Sequence, residues 1–409
     1  MGLSLLVSRG VSALASGEET NFVGNGSESG TEANAQISCT EGATFSLMGA
    51  RIISGNSGTA TYQFRDAGAN GNQTFQITTT GTNEDVTNTD VLSAGDLFNI
   101  AYTDTGTSAG NGWIKGNVAF ASGHGSFHGS ASYSGTVYDA ASSTRFISFY
   151  GDMIADGATT EDNSEFTVRG YDSFEALQIR VSANARTNDS IFRNRINGGD
   201  GTAVITFGSG ATGLISDTAL GDSITDGQTV NASITLDTGV QDLTVTCCVA
   251  TLKSSSNKSE TVAGSINGIS RAASSTANYI SIGGRITSLT DLTEGDARIK
   301  VGFAAVVSNL RCYLSANTYT GAGTLKLYQN GVAVITTTIG AAGGAAWYEN
   351  ASDTITIDAD DELSFEFDEG TSGSITIHSV GITFAPVAAP GGTILPQMMQ
   401  HGLFLGMRT

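Results

Sequence analysis

The chain repeats itself, and this internal repeat constrains its fold more than any other feature of the sequence. Residues 146–184 align without a gap on residues 279–317, and ten positions are identical. A more divergent copy lies upstream, where Thr31-Glu32 matches Thr160-Glu161 and Arg51 matches Arg180. A repeat of about 130 residues is long enough for each copy to bury a core of its own. The sequence therefore predicts three domains in series.

Within each copy, apolar and polar residues alternate, and turn residues interrupt the alternation about every ten positions, as in antiparallel sandwiches. No stretch has the period of a long amphipathic helix. Asn-Gly pairs between two alternating runs predict β-hairpins, since both residues tolerate positive φ; they occur at Asn70-Gly71, Asn197-Gly198 and Asn330-Gly331. The predicted fold class is all-β, with three tandem antiparallel β-sandwiches of the jelly-roll type.

The repeat sets the expected domain organisation. We expect an apolar N-terminal arm at 1–20, sandwiches at 21–142, 143–275 and 276–385, and a C-terminal docking tail at 386–409. The tail holds all three prolines of the chain and is too apolar for a solvated segment. It either folds back on the last sandwich or binds a neighbouring subunit. The candidate docking residues in the two end segments are Leu5, Leu6, Ile394, Leu395, Met398, Met399, Leu403 and Phe404.

Charge and hydropathy exclude two classes of partner. The chain carries 39 acidic and 19 basic side chains, a formal net charge of −20. This balance repels phosphate backbones, so we expect no nucleic acid as a partner. No apolar stretch approaches the roughly 20 residues of a membrane-spanning helix, so we expect no membrane partner either.

Residues that could carry chemistry are few and scattered. None of the four cysteines lies in a metal-ligand spacing, and we expect neither a disulfide framework nor a cofactor. His124 and His128 have a spacing that suits a metal on a helix, but the glycines around them favour a loop or a strand edge. With no recognisable set of catalytic residues, we expect no enzymatic activity.

Acidic turns and one arginine pair leave alternatives open. The turn carboxylates could supply oxygen ligands to calcium, although solvated turn residues are the simpler interpretation. Arg193 and Arg195 share one face of a strand and could meet an acidic neighbour or face solvent. The turn residues concerned are Asp217, Asp222, Asp226, Asp358, Asp360, Asp361 and Glu362.

A proline-poor chain rich in Gly, Ser, Thr and Asn, built from tandem sandwiches, resembles the structural proteins of tailed-bacteriophage virions. Within that group it is similar to capsid decoration or cement proteins and to head or tail fibre subunits. The resemblance implies a non-enzymatic role on the virion exterior, with other virion proteins as partners. Three similar domains could string out as a fibre, associate as a homotrimer, or cluster around a pseudo-threefold axis. The alternative is a carbohydrate-binding or adhesin-like bacterial surface protein, with a surface glycan as ligand.

Overall fold

The structure is a computed structural model and describes residues 3–8, 13–14, 16–23, 30–54, 57–106, 109–121, 125–218, 221–239, 241–273, 277–286, 293–368 and 372–387. Its strands form six sheets, two in each of three successive β-sandwiches. The all-β, three-sandwich architecture predicted from the repeat is confirmed. Candidate residues beyond 387 lie outside the described residues.

The first sandwich extends from residue 3 to residue 120 and includes one short helix, α1 (Glu32–Ala35). Its strands are β1 (Leu3–Ser8), β2 (Ala13–Leu14), β3 (Glu19–Thr20), β4 (Ile37–Ser38), β5 (Ala43–Ser54), β6 (Ala60–Asp66), β7 (Ala69–Ile77), β8 (Gly81–Glu84), β9 (Thr89–Leu92), β10 (Leu97–Asp104) and β11 (Ala109–Phe120).

The second sandwich begins at Gly125 and has a 3-10 helix, Glu161–Ser164, at the position of α1. Its strands are β12 (Gly125–Tyr138), β13 (Thr144–Ile147), β14 (Phe166–Thr167), β15 (Ser173–Asn184), β16 (Ser190–Ile196), β17 (Gly199–Phe207), β18 (Gly213–Asp217), β19 (Asp222–Ser223), β20 (Thr229–Thr235) and β21 (Leu243–Lys253).

The third sandwich begins at Ser259 and has the helix α2 (Glu294–Ala297) at the same position. Its strands are β22 (Ser259–Ala272), β23 (Asn278–Ile280), β24 (Gly284–Arg285), β25 (Ile299–Lys300), β26 (Ala305–Asn317), β27 (Gly323–Gln329), β28 (Val332–Ile339), β29 (Ala346–Asn350), β30 (Ile355–Ile357), β31 (Glu362–Asp368) and β32 (Ser374–Pro386).

All three sandwiches have the same strand order, which is that of a jelly roll. One sheet, which we call the interface sheet, has the order β1-β11-β5-β8, β12-β21-β15-β18 or β22-β32-β26-β29. The other, the outer sheet, has the order β3-β10-β6-β7, β13-β20-β16-β17 or β23-β31-β27-β28. In each sandwich the first strand of the interface sheet thus pairs with the last strand: β1 with β11, β12 with β21 and β22 with β32. The chain passes back and forth between the two sheets, as in two Greek keys.

Strand pairing divides the chain at different places from the expected domain boundaries. Strand β12 pairs along its length with β21, and β22 pairs with β32. The expected boundaries at 142 and 275 would separate each of these first strands from its own sheet. The N-terminal arm is likewise a strand, since β1 pairs with β11. Sequence identity is concentrated near the second and third strands of each copy, so it gave no signal for the first.

Two of the three expected hairpin turns are where the Asn-Gly pairs predict them. Asn197-Gly198 and Asn330-Gly331 have positive φ at both residues and join β16 to β17 and β27 to β28. In the first sandwich the turn is instead Ala67-Gly68, with φ of 47° and 86°, and Asn70-Gly71 lies within β7. The alanine tolerates this conformation because both flanking strands hold the two-residue turn in register.

A repeated Ser-Ala-Asn sequence ends β15 in the second sandwich and β26 in the third, and its asparagine binds the loops beside these strands. Asn317, 4% exposed, donates from Nδ2 to the carbonyl of Gly340 at 2.7 Å and to Tyr348 Oη at 3.0 Å. Its Oδ1 accepts from the Tyr319 amide at 3.1 Å. Asn184 bonds Gly208 and the Arg186 amide in the same way. The identity between copies therefore reflects a side chain that satisfies loop backbone groups.

Replacing this asparagine should destabilise the fold. We expect Asn317→Ala to lower the free energy of unfolding by about 2 kcal/mol, because buried donors and acceptors lose their partners. Urea unfolding followed by tryptophan fluorescence measures this loss. The exposed Asn188→Ala is the control and should change stability by less than about 0.5 kcal/mol. Equal effects of the two substitutions would contradict the anchoring role.

Candidate functional site between the sandwiches

Networks of hydrogen bonds and ion pairs lie where one sandwich meets the next. Each copy contributes one segment, which we call the docking turn: residues 31–40, 160–169 and 293–302. Each begins with Thr-Glu, forms the short helix and continues as a two-residue strand at the edge of its outer sheet. Alternate residues such as Ile37 and Cys39 are buried in the turn's own core. The groups between them face the interface sheet of the next sandwich.

At the first interface, the docking turn of the first sandwich lies on β15 of the second. Arg180 Nε donates to the carbonyl of Gln36 at 2.8 Å. Gln178 makes a reciprocal pair with the backbone of Ser38, donating to its carbonyl at 2.9 Å and accepting from its amide at 3.0 Å. Thr246 on β21 donates to the carbonyl of Asn34 at 3.2 Å. Side chains of the second sandwich's interface sheet thus bind the backbone of the first docking turn.

At the second interface, the docking turn of the second sandwich lies on β26 of the third, and the contacts are ionic. Arg311, 2% exposed, donates from Nε to the carbonyl of Thr167 at 2.9 Å and lies 3.0 Å from the carboxylate of Glu260. Glu260 also accepts from the Arg169 amide. The Arg169 guanidinium binds Glu349 through two nitrogens, a bidentate geometry that fixes orientation.

At the third interface, the docking turn of the third sandwich returns to the interface sheet of the first. Lys115 Nζ donates to the carbonyl of Lys300 at 2.9 Å, and Asn117 Nδ2 donates to that of Val301 at 2.9 Å. Glu84 lies between Lys115, at 2.7 Å, and Lys300, at 3.0 Å. The contacts therefore run from first to second, second to third and third to first, and they close a ring.

Apolar packing follows the same cyclic order. The core of the first sandwich takes in Phe127 and Val249 of the second. That of the second takes in Val262 of the third, and that of the third takes in Leu5 and Val7 of the first. Each interface thus continues a hydrophobic core across two sandwiches, which buries apolar surface that an isolated sandwich would expose to water.

Glycines allow close approach at each interface and are opposed by larger side chains. A Cβ on Gly264 would lie 2.2 Å from the ring of Tyr150, and one on Gly283 would lie 2.9 Å from the Cβ of Val7. At the first interface the glycine is Gly129 and the opposing side chain is Val23. At the first interface the valine belongs to a segment before the docking turn and the glycine to the interface sheet, whereas at the third interface Gly283 lies before the docking turn and Val7 lies in the interface sheet. The interfaces are therefore not interchangeable.

A chain of hydrogen bonds crosses all three sandwiches where β1, β12 and β22 meet. Ser4 Oγ lies 2.8 Å from Ser126 Oγ, which lies 3.3 Å from His128 Nε2. His128 Nε2 lies 2.9 Å from Tyr171 Oη, and Tyr171 Oη accepts from the Glu260 amide at 2.8 Å. All five residues are at most 5% exposed, so this polar junction is shielded from solvent.

Burial moves the pKa values of the junction in opposite directions. Desolvation, with a smaller contribution from the Arg311 charge, lowers the pKa of His128 to about 3. Desolvation also raises the pKa of Glu260 to about 7, although Arg311 and the bonds from Arg169 and Thr383 oppose the rise. Both shifts have one cause, because removal from water disfavours whichever form of the side chain is charged.

The candidate docking residues of the N-terminal arm are buried inside the protein. Leu5 is 3% exposed and packs in the core of the third sandwich, whereas Leu6 is 2% exposed and packs in that of the first. Because β1 completes an interface sheet, these two side chains leave no surface for another protein. Six further candidates lie outside the described residues: Ile394, Leu395, Met398, Met399, Leu403 and Phe404.

The candidate calcium carboxylates bind protein donors in separate places. Asp361 accepts from Gln329, Asn330 and the Asp358 amide, and Asp222 accepts from Asn194 and Thr202. Within the described ranges, no three His, Cys, Asp or Glu side chains are grouped so that they could hold a metal ion. His128 lies in β12, and His124 is outside the described residues.

Of the two alternatives for the arginine pair, an acidic neighbour or a solvent face, the structure has acidic neighbours. Arg193 pairs with Asp200 at 2.9 Å, and Arg195 binds both Asp200 and Glu161. Glu161 opens the docking turn, so Arg195 ties that turn to the outer sheet of its own sandwich. Arg65 binds Glu32 in the first sandwich in the same way, whereas in the third Glu294 binds Arg298 of its own docking turn. The glutamate that recurs in every copy thus pairs with an arginine in each.

Sequence reasoning missed the residues that carry the interfaces, among them Gln178, Arg311, Glu260 and Lys115. Gln178 and Arg311 occupy equivalent positions in aligned copies but are different residues, so the repeat gave no sign of them. The alignment of Arg51 with Arg180 in the repeat was a usable signal of the interfaces. Both bind the docking turn of a neighbouring copy, Arg51 through Asp296 at 2.7 Å.

The cavities between the sandwiches include two small ones. One, of about 30 Å³, lies at the junction between Leu6, His128 and Glu260. The other, of about 110 Å³, lies at the first interface and is lined by polar groups including Glu41, Glu175 and Lys253. Pockets for small-molecule ligands are commonly about 300–1,000 Å³. None of the helices in the described part of the chain is long and apolar enough to cross a membrane.

No protein-family model and no curated protein matches the chain. Solved structures with some similarity include the insecticidal delta-endotoxin Cry8Ea1 from Bacillus thuringiensis, at a TM-score of 0.20 and 11% identity. That match covers 61% of this chain, which spans only 60% of the toxin chain. Others are proteins of viruses. The structure reported as the triple jelly roll fold and turret assembly in an archaeal virus has a TM-score of 0.18 and 14% identity, over 93% of this chain and 91% of that one.

The major capsid protein of bacteriophage PM2 has a TM-score of 0.18 and 10% identity, over 64% of this chain and 98% of that one. Similarity at these TM-scores carries no argument about function. The class of the protein is therefore defined by its own strand order and interfaces: it is a triple jelly-roll protein whose sandwiches form a ring.

Exchanging the packing partners at the third interface should show that the interfaces are specific. We expect Gly283→Val to destabilise the protein through overpacking against Val7, and Val7→Gly to destabilise it by about 2–3 kcal/mol through lost burial. The double variant restores a glycine opposite a valine, as at the first interface, and should recover part of the loss. Thermal unfolding of the four proteins forms a double-mutant cycle. Strictly additive losses would mean that the two side chains do not pack on each other.

The polar junction should make the protein sensitive to acid through His128. Because its folded pKa of about 3 lies below its ordinary value near 6.5, the unfolded chain binds a proton that the folded chain does not. The contribution of His128 to stability should therefore be lost as pH falls from about 6.5 towards 3, at about 1.4 kcal/mol per pH unit. The raised pKa of Glu260 changes stability in the opposite direction between about pH 7 and 4.5. His128→Gln keeps a hydrogen-bonding side chain without titration, and its urea unfolding between pH 4 and 8 should lack this component. A constant difference from the parent protein across that range would exclude His128 as its source.

Proposed function

We propose that the chain is a non-enzymatic structural protein of a virus particle, placed on the particle exterior as a capsid decoration or cement subunit. The observation that carries the proposal is the closed ring of three jelly rolls, each bound to the next by a buried polar interface. A single chain of this kind is a preformed, rigid block with a threefold-like outline. Blocks that bind a shell need such fixed geometry more than they need an open ligand pocket.

The closed ring supports the decoration role over the fibre role. A fibre requires domains that extend along one direction, whereas the docking turn 293–302 of the third sandwich returns to Lys115 and Asn117 of the first. The net charge of −20 supports an exterior position, because an acidic surface is repelled by packaged nucleic acid. Partners would then be other virion proteins, met through surfaces outside the interfaces described above.

A carbohydrate-binding or adhesin-like role is the second candidate, and one surface favours it. On the outer sheet of the third sandwich, Tyr279 and Tyr328 lie edge to face with ring centroids 5.9 Å apart. Beside them, Lys326 Nζ binds the carboxylate of Glu366 at 2.9 Å. Aromatic rings beside polar groups suit sugar rings, which present apolar faces and hydroxyl edges. The Tyr279 and Tyr328 positions hold Glu19 and Arg65 in the first sandwich, so this surface is particular to one copy.

Immunogold labelling tests the virion role directly. Antibodies against the recombinant chain, applied to intact density-purified particles from the source, are expected to decorate the particle shell. Antibody preabsorbed with the chain is the control. Labelling confined to tails would favour the fibre role. Recovery of the chain only in fractions without particles, together with selective binding on a glycan array that Tyr279→Ala abolishes, would overturn the virion proposal in favour of the second candidate.

A further inference from the structure

The outer sheet of every sandwich ends in an edge strand, which is β7, β17 or β28. Backbone amides along such an edge lack a neighbouring strand and can pair with a strand of another chain. In the first sandwich two buried aspartates occupy these amides. Asp90 accepts from the amide of Asn72 at 2.5 Å, and Asp85 accepts from that of Thr74 at 2.9 Å. Two carboxylates beside the interface sheet therefore close the β7 edge.

The second sandwich closes its edge strand in the same way. Asp222 accepts from the amide of Thr202 at 2.7 Å, and Asp217 accepts from that of Val204 at 3.1 Å. A strand arriving at β17 would have to displace both carboxylates before it could bond these amides. Charged side chains on an edge are a common protection against pairing with other chains.

The third sandwich has an isoleucine at one of the two aspartate positions. Ile355 lies opposite β26 where Asp90 lies opposite β5 and Asp222 lies opposite β15, at aligned residues of the three strands. An isoleucine side chain has no atom that accepts a hydrogen bond. The amide of Val334, which is equivalent to that of Asn72, therefore loses its carboxylate.

The other aspartate position holds an asparagine, which binds the edge differently. Asn350 stands where the first two copies have Asp85 and Asp217. Its Nδ2 donates to the carbonyl of Thr336 at 2.8 Å, and its Oδ1 accepts from two amides of its own loop. Within residues 293–368, no side chain accepts from the amide of Val334 or Thr336. The carbonyl of Thr336 keeps a second lone pair for another donor.

The composition of β28 favours pairing as well. Its sequence, VAVITTTI, has no charged residue, and every position but Ala333 is Val, Ile or Thr. β-Branched residues are enriched in strands, and uncharged segments of this kind pair readily when they lie on an edge. Val332 is 64% exposed, and Thr336 and Thr338 are exposed too. The β28 edge thus lacks both the carboxylates and the charges that protect the other two edges.

We propose that β28 pairs antiparallel with β28 of a second copy of the chain, so that two rings join through one continuous outer sheet. A two-fold axis places the same strand on both sides, as in most dimers of identical subunits. Copies with a net charge of −20 repel each other, and β28 is an edge at which no charged side chain of one strand meets that of the other. Cross-strand pairs of Thr and Val side chains would then add to the backbone bonds. This self-pairing does not rest on the proposed function.

A matched pair of lysine substitutions tests the edge. Sedimentation velocity over a range of concentrations is expected to show a dimer of the parent chain. Thr338→Lys places a charge on the β28 edge and should weaken the dimer by about tenfold or more. Thr206→Lys changes the equivalent exposed threonine of β17, alters the net charge equally and should leave the dimer unchanged. A parent chain that stays monomeric, or equal weakening by both variants, would overturn the proposal.

A single spin label tests the orientation of the strands. Val332→Cys carries the label at the exposed start of β28, and the parent chain is the control because its four cysteines are buried. Antiparallel pairing centred near Ile335 separates the two labels by six to eight residues, or about 20–30 Å at about 3.4 Å per residue. A pulsed dipolar distance outside this range would overturn the pairing. A monomeric chain whose binding to virus particles is lost in Thr338→Lys would instead assign the edge to a strand of another protein.

Discussion

The ring depends on the docking turn, a short segment that packs into its own sandwich and also binds the next one. In each docking turn, alternate residues enter the core of their own sandwich, as Ile37 and Cys39 do, while the groups between them bind the next interface sheet. This division is possible because successive residues of an extended chain point to opposite sides. The apolar side chains fix the position of the turn, and the polar groups bind the neighbouring sandwich. A displacement of one interface is therefore transmitted to the core of the sandwich that supplies the turn.

The three interfaces share their geometry and differ in chemistry. In the first, the buried cation Arg180 binds a carbonyl, and burial lowers its pKa. The second holds the buried carboxylate of Glu260 opposite Arg311, and the third holds the partly buried carboxylate of Glu84 opposite Lys115. The ion pairs that cross these two interfaces are Arg169 with Glu349 and Lys300 with Glu84, and a docking turn moved to the wrong sheet would separate them. These pairs favour one order of assembly, whereas the shared backbone bonds supply affinity.

The sequence alone predicted the number, class and size of the sandwiches, because repeat length and period-2 alternation report directly on cores and strands. It could not give the interfaces. Glu260 and Arg311 belong to one copy but act with Arg169 of another, and no local pattern connects residues so far apart. The Thr-Glu identity was visible in the sequence, but the ion pairs of Glu32 with Arg65 and of Glu294 with Arg298 required the fold. Ala67-Gly68 adopts the turn expected at Asn70-Gly71, since tertiary register outweighed local preference.

Joining three copies in one chain removes a constraint that a symmetric trimer cannot escape. In a homotrimer, a residue beside the axis occurs three times, so a glutamate there would place three carboxylates close together in a region without water. Here the equivalent positions in β1, β12 and β22 hold Leu5, Phe127 and Glu260. One carboxylate can then be buried against Arg311 while apolar neighbours fill the same level of the other two strands. The serines one residue earlier are kept in all three copies, because a hydroxyl both donates and accepts and can bond its own symmetry mates. At this level the copies therefore differ at a position where symmetry would repeat a charge.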